Sequence, residues 1–281
     1  MFSVVEKEGY IEVCSLDRFS IFKTFDCGQC FRFSQKDNCV EGIAYGKLIK
    51  LEQSEDTKLK IYGITKKEYE DLWCHYLSLD CDYLSVDEDI IKRLNNDTTI
   101  TKAMEYGRGI RILRQDGWEA LCSFIISQNN NIPRIKKIIE NMSKTFGEKI
   151  GDDLYAFPTA KALYEAGEDK IFELKTGFRA KYIYDAAKKV ANGEIDLSLI
   201  DKMPTKEALE YLMQIKGVGL KVASCALLFG FNKTDAFPVD VWVKRVLEKY
   251  YPNGLDLDNL GDYAGMIQQY LFYYERYNKD N

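Results

Sequence analysis

Histidine is almost missing from this chain: His75 is the single one in 281 residues. That excludes His-based triads, imidazole proton relays and most His-ligated metal sites. Any nucleophile, acid or base must come from Lys, Asp, Glu, Cys, Tyr or Ser. Also lacking are a G-x-x-x-x-G-K-[ST] phosphate loop, a G-x-G-x-x-G turn after a strand, internal repeats and low-complexity tracts, so nucleotide cofactors have no support. No apolar stretch approaches the length of a membrane span, and the acidic residues of "MFSVVEKEGYIEVCSLDRF" come too early for a secretory signal. The eight cysteines, at 14, 27, 30, 39, 74, 81, 122 and 225, are scattered through apolar patterns, as expected of reduced thiols. The expectation is a soluble cytoplasmic protein, of a bacterial or archaeal nucleoid, with no membrane partner and acting as a monomer. Cys27-x-x-Cys30 is the one metal-like spacing, but no second Cys or His pair lies at a matching distance. Neither a metal nor another cofactor is expected.

What is present indicates a folded chain long enough for two packed subdomains, with 46% hydrophobic and 13% aromatic residues. From about residue 10 to 63, short runs rich in aromatic and β-branched residues ("YIEVCSL", "FRFSQ", "CVEGIAYG", "KLIKLEQ", "KLKIYGI") alternate with turn material. From about 66 onward helical periodicity takes over, as in "WEALCSFIISQ", "IPRIKKIIENMSKTF" and "VDVWVKRVLEKYY". Strands followed by helices predict an α+β fold. The expected division is an antiparallel β domain over 1–65 and a helical core over 66–281, with the N- and C-terminal segments packing together.

The net charge of −5 argues at first against a polyanionic partner, but charge is uneven. Residues 51–100 hold 6 Lys/Arg against 12 Asp/Glu, whereas residues 131–192 hold 12 against 9 and residues 206–249 hold 7 against 5. These positive stretches read either as ordinary solvated helix faces or as a surface gripping a polyanion with few phosphate contacts.

The stretch "LMQIKGVGLKVASCALL" has the form helix, I-x-G-V-G, helix. Gly217, Val218 and Gly219 permit a tight turn whose backbone, with the free N–H groups of the next helix, forms an anion site. It reads as a DNA-phosphate hairpin or as a plain αα-corner. Lys221 follows in the first helical turn, where the dipole and apolar neighbours disfavour the ammonium form and promote the neutral amine that a nucleophile needs. Its other reading is a surface lysine gripping a phosphate. Nineteen residues on, "FPVDVW" places Asp240 at a natural N-cap after Pro238, where the carboxylate either only caps or also stabilises a developing sugar cation.

"KGVGLKVASC" followed by "FPVDVW" resembles the helix-hairpin-helix, Gly/Pro-Asp superfamily of base-excision DNA glycosylases, and the lysine resembles its bifunctional glycosylase/lyase members. "FDCGQCFRF", "CSFIISQNNNIPRI", "KTGFRAKYI" and "GMIQQYLFYYERY" narrow the resemblance to 8-oxoguanine DNA glycosylase of the eukaryotic type, over about residues 10–275. The resemblance implies that Lys221 attacks C1′ of the damaged nucleotide and forms a Schiff base, with Asp240 as its electrostatic and proton-handling partner. It implies a flipped base read by the Gly28 carbonyl at N7–H and by Gln268 on its Watson–Crick edge, between Cys225 and Phe272. Asn129 would fill the vacated space, Arg134 and Arg179 would contact the estranged cytosine, and Phe178 would wedge beside it. The implied partner is duplex DNA carrying 8-oxoguanine, preferably opposite cytosine.

Bland readings stand beside these roles: Gly28 as a tight bend, Cys225 as a small core residue, and the three asparagines as loop and cap residues. The chain departs from the family pattern at Phe178, where tyrosine is common, and at Trp242, where histidine is. No cysteine follows Cys225, so the iron-sulfur cluster of endonuclease III-type relatives is not expected. Two alternatives remain: a monofunctional alkyl-base glycosylase, which lacks the lysine, and a non-catalytic helix-hairpin-helix DNA-binding protein.

Overall fold

In the computed structural model, which describes residues 3–17, 19–94 and 97–278, the early alternation of apolar and polar residues becomes one antiparallel sheet. Its strands are β1 (Ser3–Lys7), β2 (Tyr10–Cys14), β3 (Phe33–Lys36), β4 (Cys39–Ala44), β5 (Lys47–Glu55) and β6 (Lys58–Tyr62), in spatial order β1-β2-β6-β5-β4-β3. Period-two patterning puts Ile11, Val13, Ile49, Leu51, Leu59 and Ile61 on one fully buried face. On the opposite face Lys60 pairs with Glu52 at 3.0 Å. The β4–β5 turn runs through Tyr45 and Gly46, both at positive φ, a geometry whose twist matches the flanking strands.

Two elements were not expected. β1 adds an edge strand, and helix α1 (Ile21–Asp26) interrupts the strand region, with the Ser20 side chain accepting from Lys23 N at its start. A helix of six residues is too short for its period to stand out in the sequence. Phe19, Ile21 and Phe25 cover the buried face of the sheet together with Tyr69, Trp73, Tyr76 and Leu77. The sheet's core therefore draws on helical turns beyond residue 65.

The longer helices that follow are α2 (Tyr83–Arg93), α3 (Thr98–Tyr106), α4 (Gly117–Ser127), α5 (Ile132–Phe146), α6 (Ala160–Ala166), α7 (Ala180–Ala191), α8 (Thr205–Leu212), α9 (Leu220–Gly230), α10 (Val241–Tyr250) and α11 (Ala264–Tyr277). Most bury one stripe, as α5 does with Ile135, Ile138, Ile139 and Met142. Over 264–272 of α11 every residue is buried, and so is every residue of 120–126 in α4 and of 222–229 in α9. A helix apolar all round belongs at the centre, and α4 and α9 run antiparallel there, with Phe124 and Phe229 stacked at 5.3 Å.

The loop after α1 joins the two cores. Cys27 and Phe31 belong to the helical core, whereas Cys30 and Phe33 belong to the sheet core. The two thiols of the metal-like spacing thus serve different cores. Among the described residues no group of three or more His, Cys, Asp or Glu converges, and no helix is long and apolar enough to cross a membrane. Tyr277 Oη donates to the Asp26 carbonyl at 3.1 Å, tying α11 to the end of α1.

Candidate active site

The antiparallel arrangement of α4 and α9 decides where the lysine lies. Lys221 is the second residue of α9, so it emerges beside the C-terminal end of α4. There its Nζ donates to Ser127 Oγ at 3.2 Å and lies 5.4 Å from the centre of the Phe124 ring. The hairpin before it is built as its glycines require. Gly217 has φ of +78°, and the space its side chain would fill is taken by the ring of Tyr182. Val218 is buried, and its N–H closes the turn onto the Ile215 carbonyl at 3.0 Å. Gly219 is the N-cap, with open space where a side chain would stand and no side-chain cap on the helix. The first N–H groups of α9 are thus left for an outside acceptor.

Asp240 caps α10, and its Oδ1 accepts from Trp242 N at 3.0 Å and Val243 N at 2.9 Å. Burial pushes its carboxyl above the ordinary aspartate range. The Val243 N–H, the Lys221 cation, the Trp242 N–H and the Arg276 cation oppose that rise. The cap reading of Asp240 is therefore correct as far as it goes, yet the same carboxylate also borders the cleft that Lys221 enters.

That cleft has a volume of about 150 Å³. It brings together six residues singled out from the sequence: Gly28, Lys221, Cys225, Asp240, Gln268 and Phe272. Cys225 lies one helical turn from Lys221, and burial pushes its thiol up to about 11. It is a neutral wall at physiological pH rather than a rival nucleophile. Gly28 has φ of +76°, and a side chain there would stand 3.3 Å from the Phe272 ring. Gln268 is 3% exposed, and its Oε1 has no hydrogen-bond partner among the described residues. A buried acceptor left open at a cleft wall is poised for a ligand donor.

Further residues of the cleft escaped sequence reasoning, among them Phe124, Ser127, Gln269 and Arg276. The Arg276 guanidinium lies 5.6 Å from the Phe272 ring and 5.0 Å from that of Tyr277. The pair "QQ" in the otherwise apolar run "AGMIQQYLF" was the one available signal for Gln269. Trp242 also lines the cleft, with Arg245 stacked at 4.8 Å from its ring. A larger groove of about 480 Å³ lies between the sheet and α5, but its two lysines are already paired with residues of its own lining. Lys136 donates to the Phe33 carbonyl at 2.7 Å, and Lys144 pairs with Asp153 at 3.2 Å.

The remaining candidates lie outside the cleft, on the segments 128–134 and 175–179. The three asparagines do different jobs. Asn129 is exposed at φ of +48°, Asn130 lines the cleft and donates to the Ile126 carbonyl at 3.1 Å, and Asn131 caps α5 by accepting from Arg134 N at 3.0 Å. Arg134 is exposed, with one long bond of 3.4 Å to the Lys175 carbonyl. Arg179 is 3% exposed and donates to the carbonyls of Gln128, Asn129 and Thr176. In this structure it braces the asparagine loop. Phe178 is 46% exposed, edge-on to Tyr182 at 5.9 Å.

A sheet joined to a helical core, an uncapped hairpin, and a lysine and aspartate in one cleft define a helix-hairpin-helix base-excision protein. Residues 122–256 match the family model described as the HhH-GPD superfamily base excision DNA repair protein, and residues 13–121 match that of the 8-oxoguanine DNA glycosylase N-terminal domain. The chain is 31% identical to a probable N-glycosylase/DNA lyase of Methanothermobacter thermautotrophicus over 64% of this chain and 68% of that one. It is 29% identical to the N-glycosylase/DNA lyase OGG1 of Arabidopsis thaliana, over 89% and 75% of the two chains. The solved structure of the Clostridium acetobutylicum 8-oxoguanine glycosylase/lyase, in complex with DNA containing cytosine opposite the lesion, superposes with a TM-score of 0.90. Identity with it is 40%, over 98% of both chains. The chain belongs to the 8-oxoguanine DNA glycosylase family.

Proposed function

We propose that this chain excises 8-oxoguanine from duplex DNA and then cleaves the strand, as a bifunctional N-glycosylase/AP lyase. The observation that carries the reading is the meeting of an amine, a carboxylate and base-sized polar and aromatic walls in one cleft beside an open hairpin. A base can reach that cleft only by leaving the stack. Leu220 and Val241, first in α9 and α10 and next in sequence to the cleft residues Lys221 and Asp240, are 63% and 66% exposed.

In the reaction Lys221 Nζ bonds to C1′ while the C1′–N9 bond breaks, and the base leaves with the electron pair and takes up a proton. Asp240 stabilises the positive charge that develops on the sugar. Loss of the amine's proton and opening of the sugar ring give an imine to C1′. Removal of a C2′ proton then expels the 3′ oxygen, which is the strand break. Water releases Lys221. Gly28 and Gln268 supply acceptors for the N7–H and for the pairing edge, and Cys225 and Phe272 cover the faces. Cytosine is the preferred opposite base, and the protein works as a monomer on cytoplasmic DNA. An alkyl-base glycosylase or a non-catalytic clamp leaves Lys221 without a task. Borohydride trapping on an 8-oxoguanine:cytosine duplex tests the reading: a covalent adduct is expected, and its absence would refute the imine.

A further inference from the structure

The loop that carries Gly28 is pinned on both sides and open in the middle. On one side, Gln269 Nε2 donates to the Cys27 carbonyl at 3.2 Å, across 242 residues of sequence. On the other, Gln115 Nε2 donates to the Gln29 carbonyl at 2.7 Å. The Gln29 side chain adds three more ties, donating to the Thr24 and Arg111 carbonyls and accepting from Leu113 N. Between these held peptides lies the one whose oxygen belongs to Gly28. Among the described residues nothing donates to that oxygen.

Gln269 is 3% exposed, and its own Oε1 is buried without a partner among the described residues. Such an orphan costs more than a single neutral hydrogen bond returns. Stability alone therefore does not account for a glutamine here. Its nitrogen must face Cys27 O, because two oxygens would repel. That bond fixes the plane of the 27–28 peptide and so sets φ of Gly28, which at +76° has no side chain to restrain it.

We infer that Gln269 is a positioning residue for lesion recognition: by holding the Cys27 carbonyl from α11 it aims the Gly28 carbonyl into the cleft. This rests on the reading of Gly28 as the acceptor for N7–H. Gln269 touches neither Lys221 nor the sugar chemistry in this scheme, so its loss separates recognition from strand cleavage.

Gln269→Leu keeps the bulk and removes the donor, and Gln269→Glu replaces the donor with an acceptor. Two measurements are compared. The first is the ratio of Kd for guanine:cytosine and 8-oxoguanine:cytosine duplexes, taken in a Lys221→Gln background. The second, with Lys221 intact, sets single-turnover excision of 8-oxoguanine against cleavage at a preformed abasic site. Both variants should lower the affinity ratio and excision about tenfold, while abasic-site cleavage stays within about twofold and Gln269→Leu melts no lower than wild type. An unchanged ratio in Gln269→Leu, or abasic cleavage falling in step with excision, would overturn the inference. So would full discrimination in Gln269→Glu. If the Gln269-intact protein itself does not distinguish the two duplexes, the Gly28 reading fails first, and the inference with it.

Discussion

Lys221 Nζ donates to Ser127 Oγ at 3.2 Å, joining the first turn of α9 to the last residue of its antiparallel neighbour α4. The partner is a neutral hydroxyl. Among the described residues no carboxylate lies within ion-pair distance of Lys221, and Asp240 spends its Oδ1 on two backbone N–H groups. The amine therefore has no salt bridge to break before it attacks, and its side chain is already oriented by Ser127 and the Phe124 ring.

Lys221→Gln is expected to abolish both base release and the borohydride-trapped adduct while binding to lesion DNA persists. Glutamine keeps most of the length and the bond to Ser127 but cannot form an imine. Single-turnover gels and a binding isotherm on the same duplex check this; ordinary strand cleavage by the variant would refute the assignment.

Asp240→Asn should slow single-turnover excision roughly 10²–10³-fold, since a charge aimed at the transition state is lost while a competent N-cap is kept. Burial raises the folded-state pKa of Asp240. Between the unfolded and folded values the folded chain holds a proton that the unfolded chain has lost, so this group's contribution to stability falls as pH rises through that window. Asparagine removes the penalty, and the variant should melt no lower than wild type at neutral pH. In wild type the acid limb of the rate profile should lie above the usual carboxylate range and vanish in Asp240→Asn. Lost stability with an unchanged rate would make Asp240 a cap alone.

The two hairpin glycines should respond differently to alanine. At Gly217 a methyl group meets both a positive φ and the Tyr182 ring, so Gly217→Ala is expected to cost at least about 1–2 kcal/mol of stability and to weaken DNA binding. Gly219 is extended and faces open space, so Gly219→Ala should melt within a few degrees of wild type, roughly 1 kcal/mol. Its methyl group would stand where a phosphate approaches the free N–H groups, and affinity should drop nonetheless. Equal binding by Gly219→Ala and wild type would remove the hairpin from the DNA contact.

Much of this site was legible because its parts are local in sequence. Two glycines, a lysine two residues on and a capping aspartate after a proline occupy short windows with fixed geometry. The sheet's alternation was legible for the same reason. What the chain did not declare are contacts between distant residues. Gln269 reaches Cys27 and Tyr277 reaches Asp26 through the return of the last helix, and no spacing rule connects them. Helix α1 is shorter than its own signal, and Arg179 looks like any basic residue at a helix start until its donors are followed. Asn129, Asn130 and Asn131 are identical letters whose different jobs depend on φ and on which neighbour is in reach.

The arginine pair offers the sharpest division of labour. Family resemblance gives Arg134 and Arg179 the same task, contact with the estranged cytosine. Geometry separates them. Arg179 is buried and donates to three carbonyls, two of them on the asparagine loop; to reach a base it would first have to abandon that loop. Arg134 stands exposed with one long bond, so its planar fork of donors is free for the O2 and N3 acceptors of cytosine, which adenine's pairing edge does not match. Arg134→Ala should therefore leave the melting temperature near that of wild type and relax the preference for cytosine, by about 1–3 kcal/mol of discrimination. Arg179→Ala should leave buried carbonyls without donors, at about 1–3 kcal/mol of stability, and slow excision opposite every base by loosening residues 128–131. Single-turnover excision opposite each of the four bases, with a melting curve for each variant, distinguishes the two. Selective loss of cytosine preference in Arg179→Ala, with unchanged stability, would show that Arg179 leaves its loop on binding and reads the base after all.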